Sequence, residues 1–400
     1  MSAGPRPTSL RPVSLRPRSA SLRERALQRE SPLRRLDAVL LLAVVALVAL
    51  GALLVWSATR QRMLDGGLSP TTFFQKHLVN AAIGGALGSV AALVDYRSLR
   101  AYAPVVYAAS CIGLVVVLSP LGATINGAHS WILLPAGFQV QPSEFAKVAL
   151  VVGMAMLLGE GRDGESAPRD TDVVMVLALA AVPMALIMLQ PDLGTTLVLV
   201  FVVLGVLAVS GAPARWIAGL LVAGAVVCTG AVQLGVLDDY QVARFAAFAN
   251  PELDPRGVGY NTGQAKIAIG SGGLWGKGLF EGTQTNGRFI PEQQTDFVFT
   301  VAGEELGLVG AGTLVLLLGV VLWRGCRIAA AATDAFGRLV AAGVVSWFAF
   351  QSFVNIGMTL GIMPVTGLPL PFVSYGGSAM FANLVAVGLL QNVHLRTHEL

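Results

Sequence analysis

The sequence places one carboxylate, Asp296, directly before an apolar run that begins at Phe297. A carboxylate at a boundary between water and a hydrophobic medium is partly desolvated, and desolvation makes it a stronger base. The ordinary alternative is that Thr295 or Asp296 caps the start of a helix. Spacing alone leaves the two interpretations, general base and helix cap, equally open.

Other polar segments also interrupt the apolar sequence. Glu144 and Lys147 are three positions apart, so on a helix they either pair with each other or leave Lys147 to bind an anionic phosphate. Asp192 lies in a predicted tight turn, where it either caps the following helix or contributes to a site with Asp296. Trp131 is predicted to anchor a loop at the membrane interface.

A glycine-rich segment at 270–278 superficially resembles a nucleotide-binding P-loop. The required spacing fails, because Ser271 and Gly278 stand where the motif needs a glycine and a Ser or Thr. The alternative is an anion site, in which backbone amides of the glycine loop, together with Lys266 and Lys277, contact phosphate or pyrophosphate.

No His-rich or Cys-rich metal pattern occurs in the sequence. The cysteines Cys111, Cys228 and Cys326 are far apart and lie in or beside apolar stretches, which is typical of small core residues. Glu304 and Glu305 lie inside an apolar run, so we expect them to face the interior in a structural or site-shaping role. The alternative is that the helix begins later and leaves both glutamates at the margin of the loop.

The elements that position these residues must be membrane helices. Of the 400 residues, 54% are hydrophobic and 12% are charged, and the mean hydropathy is +0.70. Soluble proteins carry roughly 25% charged residues. Apolar runs near the length that crosses a bilayer predict an all-α polytopic membrane protein of about ten spans. The predicted spans are 38–58, 77–94, 101–119, 143–159, 172–190, 193–210, 215–236, 297–323, 338–362 and 372–393.

Basic residues in the short loops predict that both termini are cytoplasmic. Residues 1–36 hold nine arginines against two glutamates and are predicted to be a disordered cytoplasmic tail that touches anionic lipid headgroups, not nucleic acid. The membrane domain is predicted at 37–394, followed by a short cytoplasmic tail at 395–400. One long polar loop, at about 237–296, lies on the outer side, and loops of that length are usually functional or disordered.

Six strings along the chain together resemble the SEDS family (shape, elongation, division and sporulation). They are NGAHSW at 126–131, QPSEFAK at 141–147, QPDLGTT at 190–196, GYNTGQAKIAIGSGGLWGKGL at 259–279, FIPEQQTDFVFTVAGEELG at 289–307 and VNIGMTLGIMPVTGLPLPFVSYGGS at 354–378. Their order along the chain is that of the family. Within residues 264–284, QAKIAIGSGG at 264–273 and GTQ at 282–284 are most similar to the branch that serves cell elongation.

The resemblance implies a peptidoglycan glycosyltransferase that joins lipid II into β-1,4-linked glycan strands at the outer face of the bacterial cytoplasmic membrane. It also implies a class B penicillin-binding protein transpeptidase as partner. A lipid II flippase and a scaffold that recruits the transpeptidase remain as alternatives. A flippase needs a polar path across the bilayer, whereas the predicted ionisable motifs gather at the outer face.

By the same resemblance, Asp296 is the catalytic residue. Nine residues are predicted to contact lipid II or its pyrophosphate: Trp131, Glu144, Lys147, Asp192, Lys266, Lys277, Glu292, Ser374 and Tyr375. A divalent cation, Mg²⁺ or Mn²⁺, is expected to share the stabilisation of the leaving group, although the sequence shows no defined metal cage.

Overall fold

The computed structural model describes residues 35–125, 128–133, 139–159, 167–233, 248 and 257–397. Contacts divide the chain into two units, Met1–Leu36 and Asp37–Leu400. The prediction of an Arg-rich tail falls almost wholly outside the described residues, as does much of the predicted long loop before residue 257. The helices and strands belong to the second unit.

Within the described residues, this unit contains thirteen helices and one small sheet. The helices are α1 (Ala38–Asp65), α2 (Thr72–Leu93), α3 (Tyr96–Leu118), α4 (Pro142–Leu158), α5 (Asp170–Met188), α6 (Leu193–Ser210), α7 (Ala214–Gln233), α8 (Val258–Ser271), α9 (Thr283–Gly287), α10 (Val298–Glu305), α11 (Gly307–Ala331), α12 (Ala335–Leu360) and α13 (Gly377–Thr397). The strands are β1 (Gly122–Ile125), β2 (Ala128–Leu133) and β3 (Gln139–Val140), in the order β1-β2-β3 with antiparallel pairing.

The predicted multi-pass helical membrane fold is confirmed. Each of the ten predicted spans coincides with a helix or, in one case, with a pair of helices. Among the described residues, seven helices are long and apolar enough to cross a membrane by length and composition alone: α1, α3, α5, α6, α11, α12 and α13. Of the other three, α4 has 17 residues, α7 has a shorter apolar part at Ala214–Val227, and α2 carries polar residues in its first half.

The predicted eighth span, at 297–323, is wrong in one respect, because it is two helices and not one. The chain breaks between α10 and α11 at Gly307, whose φ is +64°. A Cβ at this position would lie 2.3 Å from the backbone nitrogen of Gly276. The break therefore depends on a residue without a side chain, which lets another segment pack directly against the backbone.

The structure differs from the prediction in four further respects. The last helix begins at Gly377 instead of 372, because Pro371 and Phe372, with φ +67°, hold the preceding segment out of a helix. It also continues to Thr397, so the predicted tail at 395–400 starts inside a helix. The long loop at 237–296 contains α8 and α9, and the loop between α3 and α4 contains the sheet, an element that the all-α prediction lacks.

The bundle has two ends, which we name by their aspartates. The Asp37 end carries the start of α1, where Asp37 caps the helix by accepting from the Leu40 amide. The Asp296 end carries the end of α1, the starts of α4, α6, α11 and α13, and the end of α12. A polar contact joins two of these elements, because the Gln141 amide donates to the Ser378 hydroxyl over 2.8 Å.

Candidate active site

Asp296 lies in a tight turn at the entrance to α10. The carbonyl of Glu292, a residue with φ +51°, accepts from the amides of Thr295 at 3.2 Å and Asp296 at 3.0 Å. The cap position of α10 is Phe297, which makes no side-chain cap. Neither Thr295 nor Asp296 is therefore the N-cap residue of α10, as the alternative interpretation predicted, and the half-buried Asp296 lies in the turn before the helix.

The segment between α12 and α13, residues 361–376, packs against this turn. The Ser374 hydroxyl donates to the Thr295 carbonyl, and the Tyr375 amide donates to the Gln294 carbonyl over 2.8 Å. Asp296 Oδ2 lies 3.5 Å from the point that a Cβ on Gly367 would occupy. The carboxyl group thus faces the backbone of this segment where the chain has no side chain.

Two side chains on one face of α12 hold the 361–376 segment by hydrogen bonds to its backbone carbonyls. Gln351 Nε2 donates to the Pro369 carbonyl over 2.7 Å. Asn355, one turn later, donates from Nδ2 to the Leu368 carbonyl over 2.7 Å and to the Asp296 carbonyl over 2.9 Å. Neither amide side chain was singled out from the sequence. The signal that could have found them is the four-residue spacing of large polar groups within an apolar span.

The ion pair of Lys147 and Glu144 lies next to Gln351, with Lys147 Nζ 2.7 Å from Glu144 Oε1. The Lys147 side chain is fully buried, donates to Gln351 Oε1 over 3.1 Å, and lies 4.7 Å from the centre of the Trp347 ring. Of the two interpretations left open by spacing, the structure shows the ion pair. Contact of Lys147 or Glu144 with a lipid phosphate stays a prediction.

Asp192 caps α6, accepting from the amide of Thr195 at 2.9 Å and from its hydroxyl at 2.7 Å. It also accepts from Gln141 Nε2 over 3.3 Å, which connects it to the start of α4. A Cβ on Gly194 would lie 3.0 Å from the Thr366 carbonyl, so this turn touches the same 361–376 segment that faces Asp296. The cap is thus shown, while a role in substrate binding stays a prediction.

The glycine-rich segment packs against the break between α10 and α11. The amides of Lys277 and Gly278 donate to the carbonyls of Glu304 and Glu305, each over 3.0 Å. A Cβ on Gly276 would lie 2.1 Å from the Glu305 carbonyl, so the glycine allows direct backbone contact. The predicted cradle of backbone amides for an anion is therefore wrong for these two amides, because carbonyl oxygens of the chain already occupy them.

Glu304 forms hydrogen bonds with several segments that meet at the break between α10 and α11. Its fully buried carboxylate accepts from the amides of Gln284 and Thr285, at 2.8 and 2.9 Å, and from Lys277 Nζ at 2.9 Å. Glu305 is buried as well and accepts from the Ser57 hydroxyl over 2.6 Å. These contacts confirm that both glutamates face the interior and have a structural role, whereas a role in shaping the site stays a prediction.

The remaining residues predicted to contact substrate differ in their exposure and in their neighbours. Lys266 is exposed, and its Nζ lies 2.4 Å from the point that a Cβ on Gly361 would occupy, at the start of the 361–376 segment. The half-buried Tyr375 ring meets Phe73 edge-on with centroids 4.9 Å apart, and burial raises the pKa of its hydroxyl. Trp131 lies in β2, opposite Ala123 of β1.

Among the described residues, no group of three or more His, Cys, Asp or Glu side chains could hold a metal ion. Asp296 and the nearby Glu292 offer two carboxylates, and Glu292 Oε2 already accepts from Gln294 Nε2 over 3.0 Å. This donor set does not fit a cation cage built from the protein alone. Binding of Mg²⁺ or Mn²⁺ stays a prediction.

Residues 37–399 match the family described as "Cell cycle protein", which groups FtsW, RodA and SpoVE. Peptidoglycan glycosyltransferase MrdB of Escherichia coli is 39% identical over 364 residues, covering 91% of this chain and 94% of that relative. A probable peptidoglycan glycosyltransferase FtsW of Trichlorobacter lovleyi is 37% identical over 368 residues, covering 92% and 95%. Identities this similar do not separate the branches of the family.

Solved structures give the same relationship. A chain from a study of the structural coordination of polymerization and crosslinking by a peptidoglycan synthase complex superposes with a TM-score of 0.76, at 34% identity over 91% of this chain and 99% of that one. The rod shape determining protein RodA of Thermus thermophilus superposes with a TM-score of 0.66, at 32% identity over 91% and 98%. Since the match in sequence spans all but the first 36 residues and the last, the chain belongs to the FtsW/RodA/SpoVE family, the SEDS proteins that its motifs resemble.

Proposed function

We propose that this protein is a peptidoglycan glycosyltransferase that polymerises lipid II into β-1,4-linked glycan strands at the outer face of the bacterial cytoplasmic membrane. The family match over residues 37–399 and relatives named as peptidoglycan glycosyltransferases support the activity. The choice of site rests on the position of Asp296. A turn places this half-buried residue at the start of α10, and its carboxylate faces the backbone of Gly367.

In this mechanism, Asp296 removes the proton from the 4-hydroxyl of the GlcNAc of an acceptor lipid II. The oxygen attacks C1 of the MurNAc at the lipid-linked end of the growing strand. The bond from C1 to the pyrophosphate oxygen breaks, and undecaprenyl pyrophosphate leaves with the electron pair. One displacement inverts the anomeric centre, so an α-linked donor gives a β-1,4 bond. A base must come within hydrogen-bond reach of the proton it removes, which the glycine opposite Asp296 permits.

Negative charge develops on the pyrophosphate as it leaves, and a nearby ammonium group stabilises it. Lys266 is the better placed of the two loop lysines, since it is exposed and lies beside the start of the 361–376 segment. Lys277 donates to Glu304 and to the Thr283 hydroxyl, so its charge is shared with a buried carboxylate. We therefore assign the pyrophosphate contact first to Lys266.

The same proposal includes a partner and a topology. The structural neighbour from a synthase complex that combines polymerization and crosslinking supports a class B penicillin-binding protein transpeptidase as partner. Cytoplasmic termini follow from the basic residues in the loops around the spans. The role in elongation and cell shape rests on the similarity of residues 264–284 to that branch of the family.

Purified protein supplied with lipid II in detergent tests the proposal, with glycan chains resolved on a gel. The wild type is expected to form chains, and Asp296→Ala to lose at least about 1000-fold in rate, within the range that general base catalysis contributes. Asp65→Asn is the matched control, an exposed aspartate at the same end of the bundle that pairs with Arg288. Its rate is expected to equal that of the wild type.

The outcomes separate the alternatives. Equal polymerisation by wild type and Asp296→Ala would remove Asp296 from the chemistry. No polymerisation by the wild type, even with the transpeptidase added, would overturn the enzyme proposal. In that case, movement of labelled lipid II across liposomes containing the protein would identify a flippase, and no movement would leave a scaffold.

A further inference from the structure

One buried amide connects the turn of Asp296 to the segment that faces it. Asn355 is fully buried in α12, 59 residues from Asp296 in sequence. Its Nδ2 donates to two backbone carbonyls on two separate segments, that of Leu368 at 2.7 Å and that of Asp296 at 2.9 Å. An amide nitrogen carries two protons, so these two bonds use its full donor capacity.

We infer that Asn355 is a positioning residue for the glycosyl transfer, acting through the backbone of Asp296. The inference rests on the proposed function and deepens it by naming the group that fixes the distance between the base and the segment opposite. Asn355 touches no reacting atom. It bonds to the carbonyl of Asp296 itself and to that of Leu368, the residue next to Gly367, whose backbone faces the Asp296 carboxyl.

The conformation of the local backbone explains why the two hydrogen bonds of Asn355 are needed. The turn and the 361–376 segment lack regular secondary structure, and both contain positive φ angles, at Glu292, Gly367 and Phe372. Such conformations persist only where surrounding contacts hold them. The Asn355 side chain, on a buried helix, fixes the turn and the 361–376 segment relative to each other. A displacement of about 1 Å at a catalytic group can cost about 100-fold in rate.

Gln351 shows what distinguishes Asn355 from its neighbour. It lies one turn earlier on the same face and donates to Pro369 of the segment, while its Oε1 accepts from Trp347 and Lys147. Gln351 therefore fixes the segment to the core of the bundle. Asn355 binds the segment and the turn together, so its loss is expected to act directly on the position of Asp296.

Three variants of Asn355 test this inference in the lipid II assay. Asn355→Asp keeps the shape but turns an acceptor towards two carbonyl oxygens, Asn355→Ala removes the group, and Asn355→Ser keeps one shorter donor. The control is Thr359→Val, one turn further along α12, where the buried hydroxyl donates to the Ile356 carbonyl of its own helix. Rates are measured over a range of lipid II concentrations, and thermal melting is measured on the same samples.

A positioning role predicts a split between turnover and binding. Turnover of Asn355→Asp and Asn355→Ala is expected to fall about 100-fold with little change in the half-saturating lipid II concentration. Asn355→Ser should lie between these variants and the wild type, and Thr359→Val should match the wild type. A purely structural role would instead lower the folded fraction and leave the turnover of the folded molecules unchanged.

Several results would overturn the inference. Wild-type turnover in Asn355→Asp, a rate loss that follows only the loss of folded protein, or three variants that all fail to fold would remove the positioning role. With an active wild type and an inactive Asp296→Ala, such a result overturns the inference alone. An inactive wild type, or an active Asp296→Ala, overturns the proposed function and this inference with it.

Discussion

Two aspartates precede helices at opposite ends of the bundle and are used differently. Asp37 accepts from the Leu40 amide over 3.0 Å and from Arg324 Nε over 2.7 Å, while its own backbone amide donates to Gln391 over 2.9 Å. Its side chain is 1% exposed. Each of these contacts stabilises the junction of α1, α11 and α13, so the carboxylate serves the fold.

At the Asp296 end, the main chain of the aspartate makes the contacts that hold its turn. The amide of Asp296 bonds to the Glu292 carbonyl and its carbonyl accepts from Asn355, while the half-buried carboxyl faces Gly367. The difference teaches that the fold fixes the Asp296 turn through its main chain, whereas at the other end it uses the Asp37 carboxylate itself to join α1 and α11. An aspartate before an apolar run has the same appearance in sequence in both places.

The sharpest test of this comparison is to remove the charge at the Asp37 end. Asp37→Asn keeps a good helix cap but leaves Arg324 without its carboxylate, which is expected to cost about 3 kcal/mol of stability. Thermal melting in detergent measures the loss, and turnover per folded molecule should be unchanged. Asp296→Asn is expected to give the opposite pattern, with melting retained and turnover lost.

A double variant checks the cause of that loss. Adding Arg324→Met to Asp37→Asn removes the unpaired cation, and part of the lost stability should return, because a buried pair replaced on both sides is far less costly than one broken on one side. If the double variant melts below Asp37→Asn, the ion pair is not what Asp37 contributes.

Two glycines with nearly equal φ angles give a second, smaller test. Gly367 has φ +75° at the Asp296 end, and Gly211 has φ +82° at the end of α6 on the other side of the bundle. An alanine at either position is expected to cost about 1–2 kcal/mol of stability from the left-handed backbone. Only Gly367→Ala should also lower turnover, by about tenfold if a similar energy is lost from the transition state.

Melting temperature and turnover of the two glycine variants are compared side by side. Equal turnover loss in both would show that general destabilisation, not the position of the 361–376 segment, controls the reaction. A loss confined to Gly367→Ala supports the view that the backbone opposite Asp296 is part of the working geometry.

Sequence predicted the membrane helices well because hydropathy is a property of each run by itself. The ten predicted spans coincide with helices, whereas the break at Gly307 was missed because apolar runs before Glu304 and after Gly307 read as one continuous span. The three-stranded sheet was missed since its strands have six, four and two residues and no strong alternation.

The site was predictable in part. The family resemblance selected Asp296, but spacing could not decide whether Lys147 meets phosphate or Glu144, because the answer depends on how deeply α4 is buried. Asn355 was missed for a related reason. Its two hydrogen bonds span 13 and 59 residues, and no local pattern encodes contacts between segments so far apart.

The smallest effect is expected from an ion pair that lies at the Asp296 end but outside the packed interior. Asp65, at the end of α1, pairs with Arg288, which follows α9, and their side chains are 53% and 42% exposed. Exposed pairs contribute less than about 1 kcal/mol and weaken further in salt. Asp65→Asn should therefore change melting slightly at low salt, hardly at high salt, and turnover not at all. A clear loss of turnover would mean that any carboxylate at the Asp296 end affects the reaction. The burial and backbone contacts of Asp296 would then not be what sets it apart.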